Sequence, residues 1–287
     1  MIRGIVLSSR PISWVNTAYP FAAAYLLAGG GIDWRLVLGT VFFLFPYNLL
    51  MYGVNDVFDY ESDLRNPRKG GIEGALLSRQ SHKSLLIACV LCAAPFLAVL
   101  VAAGDGAANL VLAVSILAVL AYSAPRLRFK ERPGLDSLTS AVHFVSPAVY
   151  GWVLAGASVQ AEQWLVFGAF LLWGMASHAL GAIQDIVPDR QGGLSSIATA
   201  LSARTTIYLV LAAYLLAGVL VAVGLSGLGR WAAVLALPYV LNVLPHLGIS
   251  DASSGTVNRG WKRFLWINYL CGFLLTMLLI FSALFTN

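Results

Sequence analysis

The sequence predicts an all-α integral membrane bundle of nine transmembrane helices, and three observations carry that reading. Of 287 residues, 59% are hydrophobic and only 11% charged, with a mean hydropathy of +0.79; an average soluble domain carries about 25% charge. Nine mostly apolar segments each approach the ~20 residues that cross about 30 Å of hydrocarbon. Finally, the 18 Lys and Arg fall on alternate connections between those segments. With 13 Asp and Glu besides, so few charges cannot cover a water-soluble chain of this length.

The spans cover approximately residues 11–29, 35–59, 84–103, 107–123, 136–157, 163–184, 205–224, 230–248 and 263–285. In the first, Arg3 and Arg10 precede an apolar stretch interrupted by Pro11, Asn16, Thr17 and Pro20, with no small-residue cleavage pattern. It reads as a retained helix rather than a removed leader. The second span runs into a polar stretch that begins at Asn55. The third holds Cys89 and Cys92, which with Cys271 supply neither a disulfide framework nor a four-ligand zinc site, and read as packing. The fourth leads into a basic loop, and the fifth and sixth carry His143 and His178. The last three spans are separated by a connection with Arg230 and one with Arg259, Lys262 and Arg263.

Positive charge retained on the cytoplasmic side tests this order. Arg3, Arg10, Arg65, Arg68, Lys69, Arg79, Lys83, Arg126, Arg128, Lys130, Arg132, Arg190, Arg204, Arg259, Lys262 and Arg263 share the side of the N-terminus, and only Arg35 and Arg230 lie opposite. The N-terminus and the polar loops are therefore expected in the cytoplasm and the C-terminus outside, in a cell inner or plasma membrane. All carboxylates but Asp33, Asp105 and Glu162 share the basic side, which puts the chemistry at the cytoplasmic mouth of the bundle. The longer polar connections follow spans two, four, six and eight, a pair-wise repeat within one polytopic domain over residues 1–287. The formal charge of +5 comes with no soluble basic domain or aromatic platform, so no nucleic-acid partner is expected.

Two motifs carry chemistry. At the end of the second span stands Asn55-Asp56-Val57-Phe58-Asp59-Tyr60-Glu61-Ser62-Asp63. A continuing helix would put Asn55, Asp59 and Asp63 on one stripe, with Asp56 beside Asp59. Such a cluster repels itself near hydrocarbon unless cations occupy it, and hard oxygen ligands suit Mg²⁺; the alternative is a solvated helix end. The sixth span ends in Asp185-Ile186-Val187-Pro188-Asp189-Arg190, where the two carboxylates share a face unless Pro188 breaks the turn. Two acidic helix ends facing each other would hold two or more Mg²⁺ ions. Arg65, Arg68, Lys69, Arg128, Lys130 and Arg190 stand beside them, suited to clamp a diphosphate, although each also serves the topology signal.

The combination resembles the UbiA superfamily of intramembrane prenyltransferases, whose pattern is Asn-Asp-x-x-Asp-x-x-x-Asp after the second helix and Asp-x-x-x-Asp after the sixth. Tyr122-Ser123-Ala124-Pro125-Arg126-Leu127-Arg128-Phe129-Lys130 is similar to the family's basic loop after helix four. The usual Arg-Pro after the first motif is replaced by Pro67-Arg68-Lys69-Gly70-Gly71, so the resemblance does not assign that loop's phosphate ligand. Ser8 to Phe21, and Pro46-Tyr47-Asn48 through Gly74-Ala75-Leu76, resemble the carotenoid branch, the lycopene elongases. The resemblance implies Mg²⁺-dependent transfer of a prenyl group from dimethylallyl diphosphate to the ends of lycopene, giving C45 and C50 carotenoids. Asn55, Asp56, Asp59, Asp63, Asp185 and Asp189 would hold the metal, with Asp56, Asp59 and Asp185 catalytic. The donor would arrive from water and the acceptor laterally from membrane lipid.

Asn16, Asn48, Tyr52, Tyr122 and His178 are candidates to line the substrate pocket. For the histidine a hydrogen-bonded structural role serves equally, and for many aromatics an interfacial belt is the default. Rings at Tyr47, Tyr52, Phe58, Tyr122, Phe144, Tyr150 and Trp173 would suit an allylic cation. Prenylation of an aromatic acceptor is the alternative within the same chemistry, and a transporter or Mg²⁺-binding channel is the alternative outside it.

Overall fold

The computed structural model describes residues 2–64 and 77–285; for Ser62, Asp63, Ala283 and Phe285 the backbone alone is described. Every regular element among these residues is helical. In chain order they are α1 (Ile2–Ser8), a 3₁₀ turn (Pro11–Ser13), α2 (Val15–Leu27), α3 (Trp34–Leu44), α4 (Pro46–Phe58), α5 (Tyr60–Asp63), α6 (Arg79–Ala103) and α7 (Gly106–Ser123). Next are a 3₁₀ turn (Phe129–Glu131), α8 (Leu135–Leu154), α9 (Ala161–Ile183), α10 (Ile186–Gly192), α11 (Ile197–Leu201), α12 (Ala203–Gly224), a 3₁₀ segment (Gly227–Leu235), α13 (Ala236–Val243), two 3₁₀ turns (Leu244–His246 and Asp251–Val257) and α14 (Asn258–Phe285).

Seven segments among the described residues are long and apolar enough to cross a bilayer: Trp34–Phe58, Arg79–Ala103, Gly106–Ser123, Ala161–Ile183, Ala203–Gly224, Gly227–His246 and Asp251–Ser282. The expected count of nine is therefore not reached on these terms. Pro11 turns the start of the first span into a 3₁₀ turn, leaving α2 only 13 residues. The fifth, α8, has 20 residues but carries Asp136, Ser137, Thr139, Ser140, His143 and Ser146.

The chain divides into two compact units, Met1–Phe129 with Val142–Ser158, and Lys130–Ala141 with Val159–Asn287. Helix α8 contributes to both, so neither unit is one continuous stretch of sequence. In lipid, apolar burial between helices gains little, and close packing and internal hydrogen bonds do more. The first unit packs aromatic rings: Phe21 and Phe42 lie 5.2 and 4.9 Å from Phe43, and Tyr47 5.1 Å from it. Gly39 makes that approach possible, since a Cβ there would stand 2.1 Å from Phe21 Cζ.

The second expected span is broken at Phe45. Pro46 has no N–H to donate and opens α4. Asn48 repairs the break: its Nδ2 lies 2.7 Å from Phe43 O, 3.1 Å from Leu44 O and 2.7 Å from Thr17 Oγ1. Thr17 Oγ1 also donates to Phe43 O at 2.7 Å.

In the second unit α9 packs along α12, where Gly224 abuts Leu165 and the carbonyl of Glu162. Tyr214 and Trp173 flank Tyr239 at 5.3 and 5.8 Å. Two carboxylates bind the ends of helices. Asp136 Oδ1 accepts from Gly134 N and Ser137 N at 2.8 Å each, and its Oδ2 from Ile197 N at 2.7 Å. Asp251 Oδ1 accepts from Ala203 N, at the start of α12, at 2.7 Å.

Candidate functional site

The first acidic motif does not continue as one helix. Helix α4 ends at Phe58, Asp59 sits between helices at φ −102° and ψ −1°, and α5 resumes at Tyr60. Asp59 N still donates to Asn55 O at 2.9 Å, so the turn joining them is intact. Asn55, Asp56 and Asp59 are all buried, a costly place for carboxylates unless cations or donors meet them.

Three separate segments of the same unit do so. Ser123 Oγ, at the end of α7, donates to Asn55 Oδ1 at 2.8 Å. Arg10 Nη2 stands 3.1 Å from Asp56 Oδ1. Arg128 Nη2 is 3.8 Å from Asp59 Oδ1, and its Nη1 is 3.5 Å from Phe58 O. Arg10 and Arg128 have φ of 50° and 40°, left-handed conformations that cost an L-residue with a side chain about 1–2 kcal/mol. Backbone strain of this kind persists where surrounding structure enforces it.

The second motif follows the same plan. Asp185, at φ −96° and ψ −1°, separates α9 from α10. Asp189 N donates to Asp185 O at 2.8 Å, so Pro188 leaves the turn whole; it lies in the first turn of α10, where no N–H is needed. Gly193, at φ 68°, closes α10. Gln184, just before the hinge, accepts from Asn258 Nδ2 at 2.7 Å.

Several expected site residues have other partners. Arg190 Nη1 meets Asp251 Oδ2 at 2.7 Å and its Nη2 donates to Thr199 O at 3.1 Å, tying α10 to α11 and to Asp251. Asn48 holds the α3–α4 break. Tyr52 lies under the Arg10 guanidinium, 4.2 Å from ring centre to Cζ. Tyr122 packs edge-on to His143 at 5.3 Å, and His178 Nδ1 is 3.1 Å from Ser137 Oγ. Asn16 is half-buried on α2, and Lys130 is half-buried in a 3₁₀ turn over Phe129–Glu131. Arg65, Arg68 and Lys69 lie outside the described residues, as does the Asp63 side chain.

Sequence reasoning missed Arg10 and Ser123 as members of the site. Arg10 reads as a topology charge; its position immediately before Pro11, at the foot of a helix, is the feature that could have marked it. Ser123 lies inside the quoted basic-loop stretch but carries no charge.

Among the described residues no group of three or more His, Cys, Asp or Glu side chains forms a closed metal site. Mg²⁺ does not need one: it keeps several waters and is commonly held by one or two carboxylates together with substrate phosphates. Buried amide and carboxylate oxygens from Asn55 and Asp59, one turn apart, fit that coordination.

Fold and sequence together define an integral membrane protein with acidic residues at the ends of two helices. The chain belongs to the UbiA prenyltransferase family, whose model matches residues 17–268. It is 55% identical over 279 residues to a lycopene elongase/hydratase of Corynebacterium glutamicum, covering 97% of each chain. It is 53% identical to the C(50) beta-cyclic carotenoids biosynthesis protein LbtBC of a Dietzia species, covering 96% of this chain and 64% of that one. A UbiA homologue from Archaeoglobus fulgidus, solved bound to DMAPP and Mg²⁺, superposes with a TM-score of 0.68 at 18% identity, over 93% of this chain and 98% of that one.

Proposed function

We propose that this prenyltransferase moves the five-carbon group of dimethylallyl diphosphate onto the ends of lycopene in a Mg²⁺-dependent reaction, making C45 and C50 carotenoids. The supporting observation is the 55% identity to a lycopene elongase/hydratase along 97% of both chains. Asn55, Asp59 and Asp63 at one acidic helix end, and Asp185 and Asp189 at the other, are the residues assigned to Mg²⁺. Bound there, the ion would supply the positive charge that lets diphosphate leave the allylic carbon.

The chain's own part is positioning and protection. Arg128, Lys130 and the basic residues Arg65, Arg68 and Lys69 are assigned to the diphosphate oxygens. The helices exclude bulk water, so the allylic carbon is taken by a terminal double bond of the acceptor. The new carbon–carbon bond leaves a tertiary cation on the acceptor. The relative's name couples elongation with hydration, and we assign the end of the reaction here to attack by one water, which loses a proton and leaves an alcohol. The motifs face the cytoplasm in this reading, and the acceptor enters from the lipid.

Purified protein in lipid, given labelled dimethylallyl diphosphate with either lycopene or 4-hydroxybenzoate, tests the assignment. Label in C45 and C50 carotenoid is the expected result. Transfer to the aromatic ring alone would overturn the choice of acceptor.

A further inference from the structure

We infer that the water ending the reaction is held in a polar opening of α8, and that His143 takes its proton. The inference rests on the reading above, in which one water captures a tertiary cation on the acceptor. Pro147 lies inside α8 and has no N–H to return to the carbonyl of His143, four residues earlier. A carbonyl freed in this way at membrane depth is met by a neighbouring helix, a hydroxyl or an ordered water. Tyr47 Oη, from α4, donates to it across 3.4 Å, long for a hydroxyl donor.

The side chains beside the gap are polar as well. Ser146 is 6% exposed, and its hydroxyl lies beside that of Tyr47 yet makes no hydrogen bond among the described residues. Ser115 and Ser177, in other helices, give their hydroxyls to the carbonyl four residues back, at 2.9 and 2.6 Å. A buried hydroxyl without a partner is costly, and a water that bonds several such groups removes the cost. His143 is buried too, and its ring meets that of Tyr122 edge-on at 5.3 Å. The next residue, Ser123, donates to Asn55 Oδ1 at 2.8 Å. Two consecutive residues of α7 thus touch the opening and the acidic end of α4, all within the first compact unit. Of the groups at the opening, imidazole is the one that accepts a proton near neutral pH. The water oxygen bonds to the tertiary carbon, one of its hydrogens passes as a proton to a His143 ring nitrogen, and the alcohol remains. The imidazolium returns that proton to solvent after product leaves.

The test gives the full chain in lipid labelled dimethylallyl diphosphate, lycopene and oxygen-labelled water, and sorts the products by mass. His143→Phe keeps an aromatic ring against Tyr122 but removes the proton acceptor. It should still transfer the five-carbon group, while the ratio of labelled alcohol to alkene falls by about 100-fold, the scale of a lost general base. The cation then ends by giving a carbon-bound proton to diphosphate. Ser146→Ala should lower the same ratio less, and His143→Gln, whose amide oxygen still accepts from water, should recover part of it. If the ratio is unchanged in His143→Phe, or if alcohol and total transfer fall together in both His143→Phe and Ser146→Ala, the opening is structural and the inference is wrong. Labelled carotenoid without water-derived oxygen from the unmodified chain would overturn the water step and His143's part in it, leaving the acceptor as assigned. No labelled carotenoid at all would overturn the acceptor and the inference together.

Discussion

Asp59 and Asp185 adopt the same backbone conformation, φ −102° and ψ −1° at the first and φ −96° and ψ −1° at the second. Each stands between a long helix and a short one, and each is followed four residues later by another aspartate. This region of backbone space is sparsely populated and is favoured at active sites. The chain uses one local device twice, once in each compact unit.

Asp59→Ala and Asp185→Ala should each lower turnover by about 100-fold or more, the scale on which removing a group that stabilises developing charge is felt. Both variants should keep the melting behaviour of the unmodified chain in detergent, because neither residue lies in a packed apolar core. Full activity in either would remove that residue from the mechanism.

Asn48→Leu keeps the volume but deprives Leu44 O and Thr17 Oγ1 of their Asn48 donor and leaves Phe43 O with Thr17 Oγ1 alone. Loss of a donor to buried backbone costs about 1–3 kcal/mol. A lower melting temperature with unaltered Mg²⁺ dependence is expected; an unaltered melting temperature would show that the α3–α4 break holds without the amide.

Asp251→Ala should destabilise the chain more than Arg190→Ala, because it also removes the acceptor of Ala203 N, and the double variant little more than Asp251→Ala alone, since the 2.7 Å pair is already broken there. The KM for the diphosphate donor should stay constant in Arg190→Ala. A selective rise in KM without loss of stability would return Arg190 to the diphosphate.

Asp33 caps α3, accepting from Arg35 N and Leu36 N at 3.0 Å each and from Tyr25 Oη at 2.8 Å. The N–H of Leu36, ahead of the Tyr25 hydroxyl and Arg35, holds its carboxyl below the usual carboxylate range. Because the folded-state value is the lower one, the stabilisation is present above the unfolded carboxylate pKa and is lost as pH falls through the folded value. Asp33→Ala should therefore lower the melting temperature at neutral pH and converge with the unmodified chain in acid; a constant gap at all pH values would refute the capping role.

Much of this was legible in the sequence. The apolar runs and the alternating Lys and Arg identified a membrane bundle, and spacing alone paired Asp185 with Asp189. What spacing could not reveal was where helices stop. The stripe through Asn55, Asp59 and Asp63 assumes an unbroken helix, whereas the chain breaks at Asp59, beside Arg128, and Asn55 meets Ser123, both partners about 70 residues further along the chain. Arg10 escaped for the same reason: its partner is 46 residues away. Asn48 reads as a substrate contact because polar residues within hydrocarbon often are, and Arg190 because it follows an acidic motif; spacing could not show that backbone carbonyls and Thr17 meet the first, and Asp251 and Thr199 O the second. The two expected spans that fall outside the seven are α2, shortened to 13 residues after Pro11, and α8, which carries many polar side chains.

The most direct measurement is prenyl transfer by chelator-stripped protein, with labelled dimethylallyl diphosphate and lycopene, before and after Mg²⁺ is restored. The account predicts no labelled C45 or C50 carotenoid without the ion and recovery on its return, in the unmodified chain but not in Asp59→Ala or Asp185→Ala. Undiminished transfer by the stripped protein would contradict it.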